Sequence, residues 1–349
     1  MDQITPGVTR AALWTPDGID VRTLEIPELA PGEVLVSIDL ATVCGSDLHT
    51  VSGRRPAPCP SILGHEAIGR IVAFGDGARA ISADGAALSV GDRVVWSVTV
   101  PCGHCARCTS GFTAKCMRVR KVGHEPATGE WMLSGSYAQH IVLPRGTAVV
   151  PVPESMPDAV AAPAACATAT VMAALEAAGN LGGKRVLVMG AGMLGVTAAA
   201  ASVERGAETV RVIDRDPMRQ NISRRFGGID DDGGDADVIV DFTGAAAALQ
   251  SALDRLDIGG RFVLAGSVTP GPPISVDPEA VVRSWWAITG VHNYEPRHLS
   301  QAVAFLDATD GRYPWAEVID TPVPLADLAR VLVPTRPGIL RSSVTPHVR

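Results

Sequence analysis

Four cysteines lie within 15 residues, Cys102, Cys105, Cys108 and Cys116, with the spacing C-x2-C-x2-C-x7-C. Thiolates are good zinc ligands, and four of them form the closed tetrahedral shell of a structural zinc site. Unrelated thiols or a disulfide pair are the alternative, but two-residue spacings that occur twice favour a metal. An iron–sulfur cluster also takes four thiolates and stays open at this point. The spacing therefore predicts a metal-binding lobe.

A second candidate metal site is spread over the first half of the chain. Cys44 and His65 have side chains that zinc accepts, and Glu66 follows His65 directly. A catalytic zinc needs about three protein ligands and an open position. Either Cys166 or Glu66 could be the third ligand, and the other residue would then support the ligands without binding the metal itself. Each residue alone is more often part of the core or surface, but their co-occurrence with the four-cysteine lobe favours a catalytic metal.

A glycine-rich loop follows the apolar run RVLVM at residues 185–189. Its six residues read G-x-G-x-x-G, with the glycines at Gly190, Gly192 and Gly195, and an Ala-rich helix comes next. The first glycine permits a tight turn, the second allows a pyrophosphate to approach the backbone, and the third allows close helix–strand packing. The helix N-terminus then faces the phosphate charge. This arrangement predicts a dinucleotide-binding site.

Asp214 closes the next predicted strand, VRVID. A carboxylate at this place accepts hydrogen bonds from the ribose hydroxyls and repels a 2′-phosphate, which favours NAD over NADP. Arg215 beside it slightly tempers that preference.

Two kinds of secondary structure are predicted along the chain. From Ala11 to about Pro153 we expect short strands and turns, with strands at 34–39, 68–74 and 92–95. From about Met156 helices and strands alternate, which is typical of a parallel sheet covered on both faces. The strands of that sheet are predicted at 185–189, 209–213, 237–241 and 261–265.

One segment departs from this pattern. Only 22 residues separate Asp214 from the strand at Asp237, and the stretch GGIDDDGGD between them is predicted to be an exposed, shortened loop. We therefore expect the nucleotide-binding sheet to be abbreviated. The predicted domains are 1–155, 156–289 and a return to the first domain over 290–349.

Composition excludes several classes of function. The chain has 349 residues, a net charge of −7 and only 4% aromatic residues. The acidic balance argues against a general nucleic-acid binder. The first residues carry no apolar signal-peptide core, and we expect no membrane-spanning segment. Cysteines clustered at metal spacing suit the reducing cytoplasm better than a disulfide scaffold.

Taken together, the motifs resemble those of the zinc-dependent medium-chain alcohol dehydrogenases, in the branch that includes sorbitol and threonine dehydrogenases. The resemblance covers nearly the whole chain and argues against an iron–sulfur protein. It implies an α/β fold: a GroES-like β-barrel catalytic domain with the metal motifs, and a Rossmann-type doubly wound parallel sheet. The motifs are CGSDLH at 44–49, GHE at 64–66, GDRV at 91–94, the four-cysteine module, GAGMLG at 190–195 and ITGVHNY at 288–294.

The resemblance also implies roles for individual residues. Cys44 and His65 would hold a catalytic zinc, with Cys166 our first choice over Glu66 as the additional ligand. Ser46 would contact the reacting alcohol and His49 would link it to solvent. The lobe would hold one structural zinc. The cofactor NAD would be contacted by the three loop glycines and by Met193, Leu194, Asp214, Arg219, Thr243 and Arg341.

The implied reaction interconverts an alcohol and an aldehyde or ketone with a small-molecule substrate, in a homodimer or homotetramer. A non-catalytic protein of the same fold is the alternative, and a zinc-independent enone reductase is disfavoured by the four-cysteine lobe.

The substrate is less defined. Stretches around CGSDLHTVSGRR and AACATATV are similar to a subgroup associated with phosphonate catabolism. Arg54 and Arg55 could meet an anionic group or could simply be solvated. His124, His292 and Asn293 are further candidate residues for the substrate site.

Overall fold

The computed structural model describes residues 7–76 and 82–347 and divides into two compact units. Unit 1 comprises the chain up to Cys166, residues 295–310 and the chain from Trp315 onward, and unit 2 comprises residues 167–294 and 311–314. The chain thus enters unit 2 at 166/167 and leaves it at 294/295, apart from the short return over residues 311–314. The boundaries expected from the sequence were 155/156 and 289/290.

Short strands dominate the first half of the chain, as the spacing of glycine and proline predicts. In chain order the strands are β1 (Val8–Thr15), β2 (Gly18–Glu25), β3 (Val34–Thr42), β4 (Ser61–Ile62), β5 (Glu66–Phe74), β6 (Arg93–Trp96), β7 (Thr99–Val100), β8 (Arg120–Lys121), β9 (His140–Leu143), β10 (Val149–Pro151), β11 (Arg185–Met189), β12 (Thr209–Ile213), β13 (Ile229–Asp230), β14 (Ala236–Asp241), β15 (Leu256–Leu264), β16 (Ala287–Gly290), β17 (Val323–Pro324) and β18 (Ser343–Thr345).

Helices lie mainly in unit 2 and around its boundaries. They are α1 (Gly45–Val51), α2 (Ala106–Thr109), α3 (Asp158–Ala161), α4 (Ala167–Ala178), α5 (Met193–Glu204), α6 (Pro217–Arg224), α7 (Ala246–Leu253), α8 (Pro278–Ser284), α9 (Pro296–Ala308) and α10 (Leu328–Val331). Short 3-10 helices occupy Thr113–Lys115, Ala162–Ala165, Trp315–Val318 and Leu325–Asp327.

Unit 1 is built from mixed sheets that are mostly antiparallel. The largest has the order β10-β6-β5-β3-β18-β17, with β9 also paired to β3, and a smaller sheet has the order β2-β1-β4. β3 and β5 run side by side over their lengths, with Val34 opposite Phe74 and Thr42 opposite Glu66. Both strands are largely buried, so their Val, Ile and Leu side chains form the centre of the unit 1 core together with Trp96 and Tyr137.

Unit 2 contains a six-stranded sheet in which every pairing is parallel. Its order is β13-β12-β11-β14-β15-β16, which in chain order is 3-2-1-4-5-6, the doubly wound arrangement. The four residues Val186–Met189 of β11 are all buried, as expected for a strand covered on both faces. The predicted α/β fold class with its Rossmann-type sheet is therefore confirmed.

The expectation of an incomplete set of strands was wrong. Ile229–Asp230, within the segment expected to be a loop, forms β13 and pairs with Arg211 and Val212 of β12. The abbreviation lies elsewhere: only residues 231–235 connect β13 to β14, and they contain no helix. Arg255 and Arg211 hold this short connection through Asp231 and Asp232, and Arg255 donates to Asp231 at 2.6 and 2.8 Å.

Among the described residues, none of the helices taken singly is long and apolar enough to cross a membrane. The pair 158–165 and 167–178 passes this test of length and composition only when its two parts are counted together.

Candidate active site

The four-cysteine lobe lies between β7 and β8 of unit 1. α2 begins directly after Cys105, and this turn brings Cys105 and Cys108 to the same side. The four Sγ atoms all lie within 4.8 Å of one another, with separations of 3.5 Å for Cys105–Cys108 and 3.8 Å for Cys105–Cys116. A tetrahedron with zinc–sulfur bonds of about 2.3 Å has edges of about 3.8 Å, so the spacing of these donors fits zinc.

Backbone amides point at the sulfur atoms of this lobe. Cys116 Sγ accepts hydrogen bonds from the N–H groups of Cys102 and Arg118, each at 3.3 Å. The N–H groups of Met117 and Cys108 lower the pKa of Cys105 to about 6. Hydrogen bonds of this kind favour the thiolate, which is the form that binds metal.

A second donor group is assembled from three separate parts of unit 1. Cys44 lies at the N-terminus of α1, His65 immediately precedes β5, and Cys166 follows the 3-10 helix Ala162–Ala165. One ligand atom of each lies within 4.8 Å of the others, and Cys44 and His65 are buried. Two thiols and one imidazole are a donor set suited to zinc, and three ligands leave a coordination position open.

Asp47 holds His65 in place and was not identified from the sequence. Its carboxylate is fully buried and lies 3.4 Å from His65 Nδ1. It also accepts hydrogen bonds from the Cys44 amide and the Tyr137 hydroxyl, both at 3.0 Å. Burial opposes the charged imidazole, but Asp47 and Cys44 together outweigh it and raise the pKa of His65 well above its usual range. A carboxylate behind a ligating histidine fixes the ring and leaves Nε2 for the metal.

Glu66 lies beside the donor group but its carboxylate is engaged. Arg341 donates to it from Nε at 2.9 Å and from Nη2 at 3.2 Å, and the Thr42 hydroxyl donates at 2.8 Å. Glu66 is fully buried, and this burial raises its pKa although Arg341 opposes the shift. The structure therefore places Cys166 among the three donors and leaves Glu66 in a buried ion pair.

Arg341 also approaches the sulfur of Cys44, with Nη2 3.8 Å from Sγ. A hydrogen bond with Cys166 and, next among the favourable influences, the charge of Arg341 hold the pKa of Cys44 well below its usual range. The structure thus gives Arg341 a role next to the donor group. Its contact with a pyrophosphate stays a prediction.

Ser46 and His49 both belong to α1. Ser46 Oγ lies 3.1 Å from His65 Nε2, so its hydroxyl is at the donor group. His49 is half-buried in the last turn of the same helix. His124 packs its ring against His65 with centroids 5.1 Å apart, while His292 and Asn293 belong to unit 2.

The glycine loop of unit 2 has the geometry that its sequence predicts. Gly190 has φ of 97°, in the left-handed region, and Gly192 caps the N-terminus of α5. A Cβ added to Gly195 would lie 1.7 Å from the carbonyl oxygen of Gly190, so only glycine fits there. The helix therefore starts directly at the loop, with Met193 buried and Leu194 half-buried.

Other predicted cofactor residues gather at this loop. Asp214 Oδ2 accepts a hydrogen bond from the Ala191 amide at 2.7 Å. Arg219 Nη1 lies 4.0 Å from the position of a Cβ at Gly192, and the Thr243 methyl lies 3.1 Å from that at Gly190. A cavity of about 260 Å³ begins at Asp214 and is lined also by Arg215, Pro217, Gln220, Asn221, Arg224 and Asp230.

Comparison with known proteins supports the relationship suggested by the motifs. Residues 30–154 match the alcohol dehydrogenase GroES-like domain family. The 5-exo-hydroxycamphor dehydrogenase of Pseudomonas putida is 30% identical over 92% of this chain and 94% of its own. The L-threonine 3-dehydrogenase of Edwardsiella ictaluri is 28% identical over 80% of this chain and 82% of its own. The structure of an alcohol dehydrogenase from Thermotoga maritima superposes with a TM-score of 0.88 at 27% identity, covering 97% of this chain and 100% of that one.

A GroES-like unit with two thiol-rich groups that could hold metal ions and a doubly wound unit with a glycine loop together have the architecture of a medium-chain dehydrogenase. The chain belongs to the zinc-dependent medium-chain alcohol dehydrogenase family and is an oxidoreductase.

Proposed function

We propose that this protein reversibly oxidises an alcohol to an aldehyde or ketone, with NAD⁺ as hydride acceptor. The observation that carries the proposal is the group of Cys44, His65 and Cys166, whose donor atoms lie within 4.8 Å of one another. The group fits zinc and leaves one position for a substrate oxygen. A non-catalytic role is not favoured, because this donor group and the nearby Ser46 hydroxyl occur together.

The reaction removes a hydride from the alcohol carbon and a proton from its oxygen. Zinc, when bound, supplies Lewis-acid polarisation of the substrate oxygen, and NAD⁺ accepts the hydride. Cys44, His65 and Cys166 would hold the metal, while Asp47 and the Glu66–Arg341 pair keep these ligands oriented. The four-cysteine lobe would hold a second, structural zinc, whose four thiolates leave no position for a substrate.

The protein's own part in the chemistry is proton removal. Ser46 Oγ lies 3.1 Å from His65 Nε2 and would accept the alcohol proton while it gives up its own hydroxyl proton. His49 follows one turn later on α1 and would pass this proton to solvent, since imidazole exchanges protons near neutral pH.

NAD is proposed as the cofactor in preference to NADP. Asp214 lies at the glycine loop, where its carboxylate would accept the ribose hydroxyls and repel a 2′-phosphate. Arg219 lies near Gly192 and would support the adenosine side of the site.

We also propose a cytoplasmic homo-oligomer, a dimer or tetramer. All seven cysteines are free thiols, and four of them are spaced for metal binding, which suits a reducing compartment. Strand β16 is the last strand of the unit 2 sheet and three of its four residues are exposed. A second copy that pairs along this edge would cover its unpaired backbone groups.

The proposed activity is tested by a dehydrogenase assay with neutral and anionic alcohols, NAD⁺ and NADP⁺, on wild-type protein and Asp214→Ala. We expect zinc-dependent NADH formation, a higher kcat/KM with NAD⁺, and erosion of that preference by about tenfold in the variant, as expected for loss of a charged hydrogen-bonding group. A higher kcat/KM of the wild type with NADP⁺ would refute the assignment of Asp214, and absence of any alcohol oxidation would refute the activity.

A further inference from the structure

Three basic residues of unit 1 belong to the loops around the Cys44, His65 and Cys166 group. They are Arg55, Lys121 and His124. His124 is the most directly placed, with its ring at an angle of 64° to that of His65 and centroids 5.1 Å apart.

The backbone brings these residues together from two loops. The Arg55 amide donates to the His49 carbonyl at 3.0 Å, so the loop after α1 folds back onto that helix. Lys121 ends β8, and the His124 amide donates to the Lys121 carbonyl at 3.1 Å. Lys121 and His124 therefore belong to one tight turn beside His65.

The charges of this cluster are not neutralised within it. Among the residues that the structure describes, neither the Lys121 ammonium nor the Arg55 guanidinium forms an ion pair or a side-chain hydrogen bond. Glu125 is the nearest acidic residue in sequence, but its carboxylate accepts from the backbone amide of Lys121, at 2.8 Å.

Lys121 is half-buried, which separates it from an ordinary surface lysine. Burial lowers the pKa of its ammonium, and the positive charges of Arg55 and Lys115 lower it further, whereas Cys166 acts in the opposite direction. Lys121 is thus within electrostatic reach of both Arg55 and a residue of the donor group. Keeping such cations close together and partly out of water has an energetic cost that a bound anion would offset.

Two neighbouring arginines are not partly buried cations without a partner. Arg54 is exposed, and the guanidinium of Arg120 stacks over the Trp131 ring at 4.5 Å. Arg341 lies closer to the donor atoms, but it is paired with Glu66. Among the described residues, Arg55 and Lys121 are therefore the partly buried cations of this region that have neither a carboxylate nor an aromatic partner.

We propose that Arg55 and Lys121 bind an anionic group of the substrate, a carboxylate, phosphonate or phosphate, while the hydroxyl of that substrate lies at the Cys44, His65 and Cys166 group. This inference rests on the proposed alcohol dehydrogenase activity and specifies its substrate class. A guanidinium and an ammonium supply several charge-assisted donors, which is how such oxyanions are bound in proteins.

The test compares matched anionic and neutral alcohols with the zinc-loaded enzyme. The pairs are 3-hydroxybutyrate with butane-1,3-diol, 2-hydroxyethylphosphonate with propan-1-ol, and glycerol 3-phosphate with glycerol. The variant is Lys121→Gln, and its control is Lys184→Gln, the same change at an exposed lysine of unit 2. We expect wild-type kcat/KM to favour the anionic member of at least one pair by about tenfold or more, mainly through KM.

Lys121→Gln should lower that preference by about tenfold, whereas Lys184→Gln should retain it. The pair with the largest preference identifies the anion. If butane-1,3-diol or another neutral alcohol is oxidised and no anionic partner is preferred, the activity stands and the anion site is refuted. Equal losses for both members of a pair in Lys121→Gln would also refute the site.

If no alcohol is oxidised, a binding measurement still tests the anion site independently of the proposed dehydrogenase activity. Isothermal titration of the three anionic compounds into zinc-loaded protein should give a Kd about tenfold weaker in Lys121→Gln than in wild type for at least one of them. No detectable binding, or equal Kd values for wild type and variant, would refute the anion site whatever the turnover.

Discussion

The two donor groups of unit 1 differ in how they are built. The four-cysteine lobe takes all its donors from 15 consecutive residues, and its sulfur atoms receive hydrogen bonds from local backbone amides. The group of Cys44, His65 and Cys166 takes its donors from three distant segments. It is surrounded by buried charged side chains, Asp47 and the Glu66–Arg341 pair.

This difference separates stability from chemistry. Four thiolates saturate a tetrahedral ion, so the lobe can fasten its loop but has no position for a substrate. Three donors leave one position open, and the surrounding charges fix the orientation of the ligands. Substitutions in the four-cysteine lobe should therefore lower the stability of the protein. Substitutions around the Cys44, His65 and Cys166 group should instead lower the activity or the zinc content.

The largest effect is expected for Cys102→Ser in the lobe. Loss of one of four thiolates should remove the structural metal and reduce the free energy of unfolding by about 4 kcal/mol or more, because metal binding at such a site contributes directly to folding. Denaturant unfolding and zinc analysis measure this effect. Cys59→Ser is the control, since Cys59 is exposed and belongs to neither donor group. Unchanged stability combined with lost turnover would place the lobe in the active site.

A smaller loss of stability is expected for Glu66→Gln. The change removes the carboxylate that pairs with buried Arg341 and leaves that cation its contact with Cys44 Sγ. Breaking a buried ion pair typically costs about 3–5 kcal/mol, and because the sulfur contact remains we expect a loss at the lower end, about 3 kcal/mol. The control is Glu154→Gln, which breaks an exposed pair with Arg70 and should cost less than about 1 kcal/mol. Chemical denaturation gives both values, and zinc analysis of the folded variant shows whether Glu66 is a ligand. Loss of the open-site zinc would mean that it is.

The smallest effect is expected for His49→Ala, which should slow alcohol oxidation by roughly ten- to several-tens-fold. General acid–base assistance typically contributes about 10²–10⁴-fold, and the loss should be smaller than this because water can partly replace His49 in the proton path. The loss should be greatest below about pH 8, where hydroxide offers little help. A pH–rate profile with and without added imidazole is the measurement, and imidazole should restore part of the rate. An unchanged profile would remove His49 from the proton path, and loss of zinc would make it a ligand.

The sequence predicts the lobe better than the open group, for a physical reason. Cys102, Cys105, Cys108 and Cys116 are near neighbours, so their spacing alone brings the sulfurs together. Cys166 lies 101 residues beyond His65, and nothing in local spacing decides between it and Glu66. The structure distinguishes them because Arg341, which is distant in sequence, forms an ion pair with the Glu66 carboxylate.

Asp47 illustrates a second limit of sequence reasoning. An acidic residue in the first turn of a helix is common, since it interacts favourably with the helix dipole. Its role becomes visible only when Tyr137 and His65 are seen to meet its carboxylate.

In unit 2 the strands β11, β12 and β14 were predicted to within one residue because each contains several Val, Ile or Leu residues, whereas β15 begins five residues before its predicted start at 261. Ile229–Asp230 was missed because two residues are too few to show a pattern, and parallel pairing with β12 defines them as a strand.

The central claim is that turnover depends on a metal held by Cys44, His65 and Cys166. The most direct test follows zinc content and turnover together while the purified protein is treated with a mild chelator. The account predicts two zinc ions per chain at the start, complete loss of turnover as the first is released, about one zinc retained in a folded protein, and recovery when zinc is added back. Full turnover after release of the first zinc, or an active protein that contains no zinc, would contradict it.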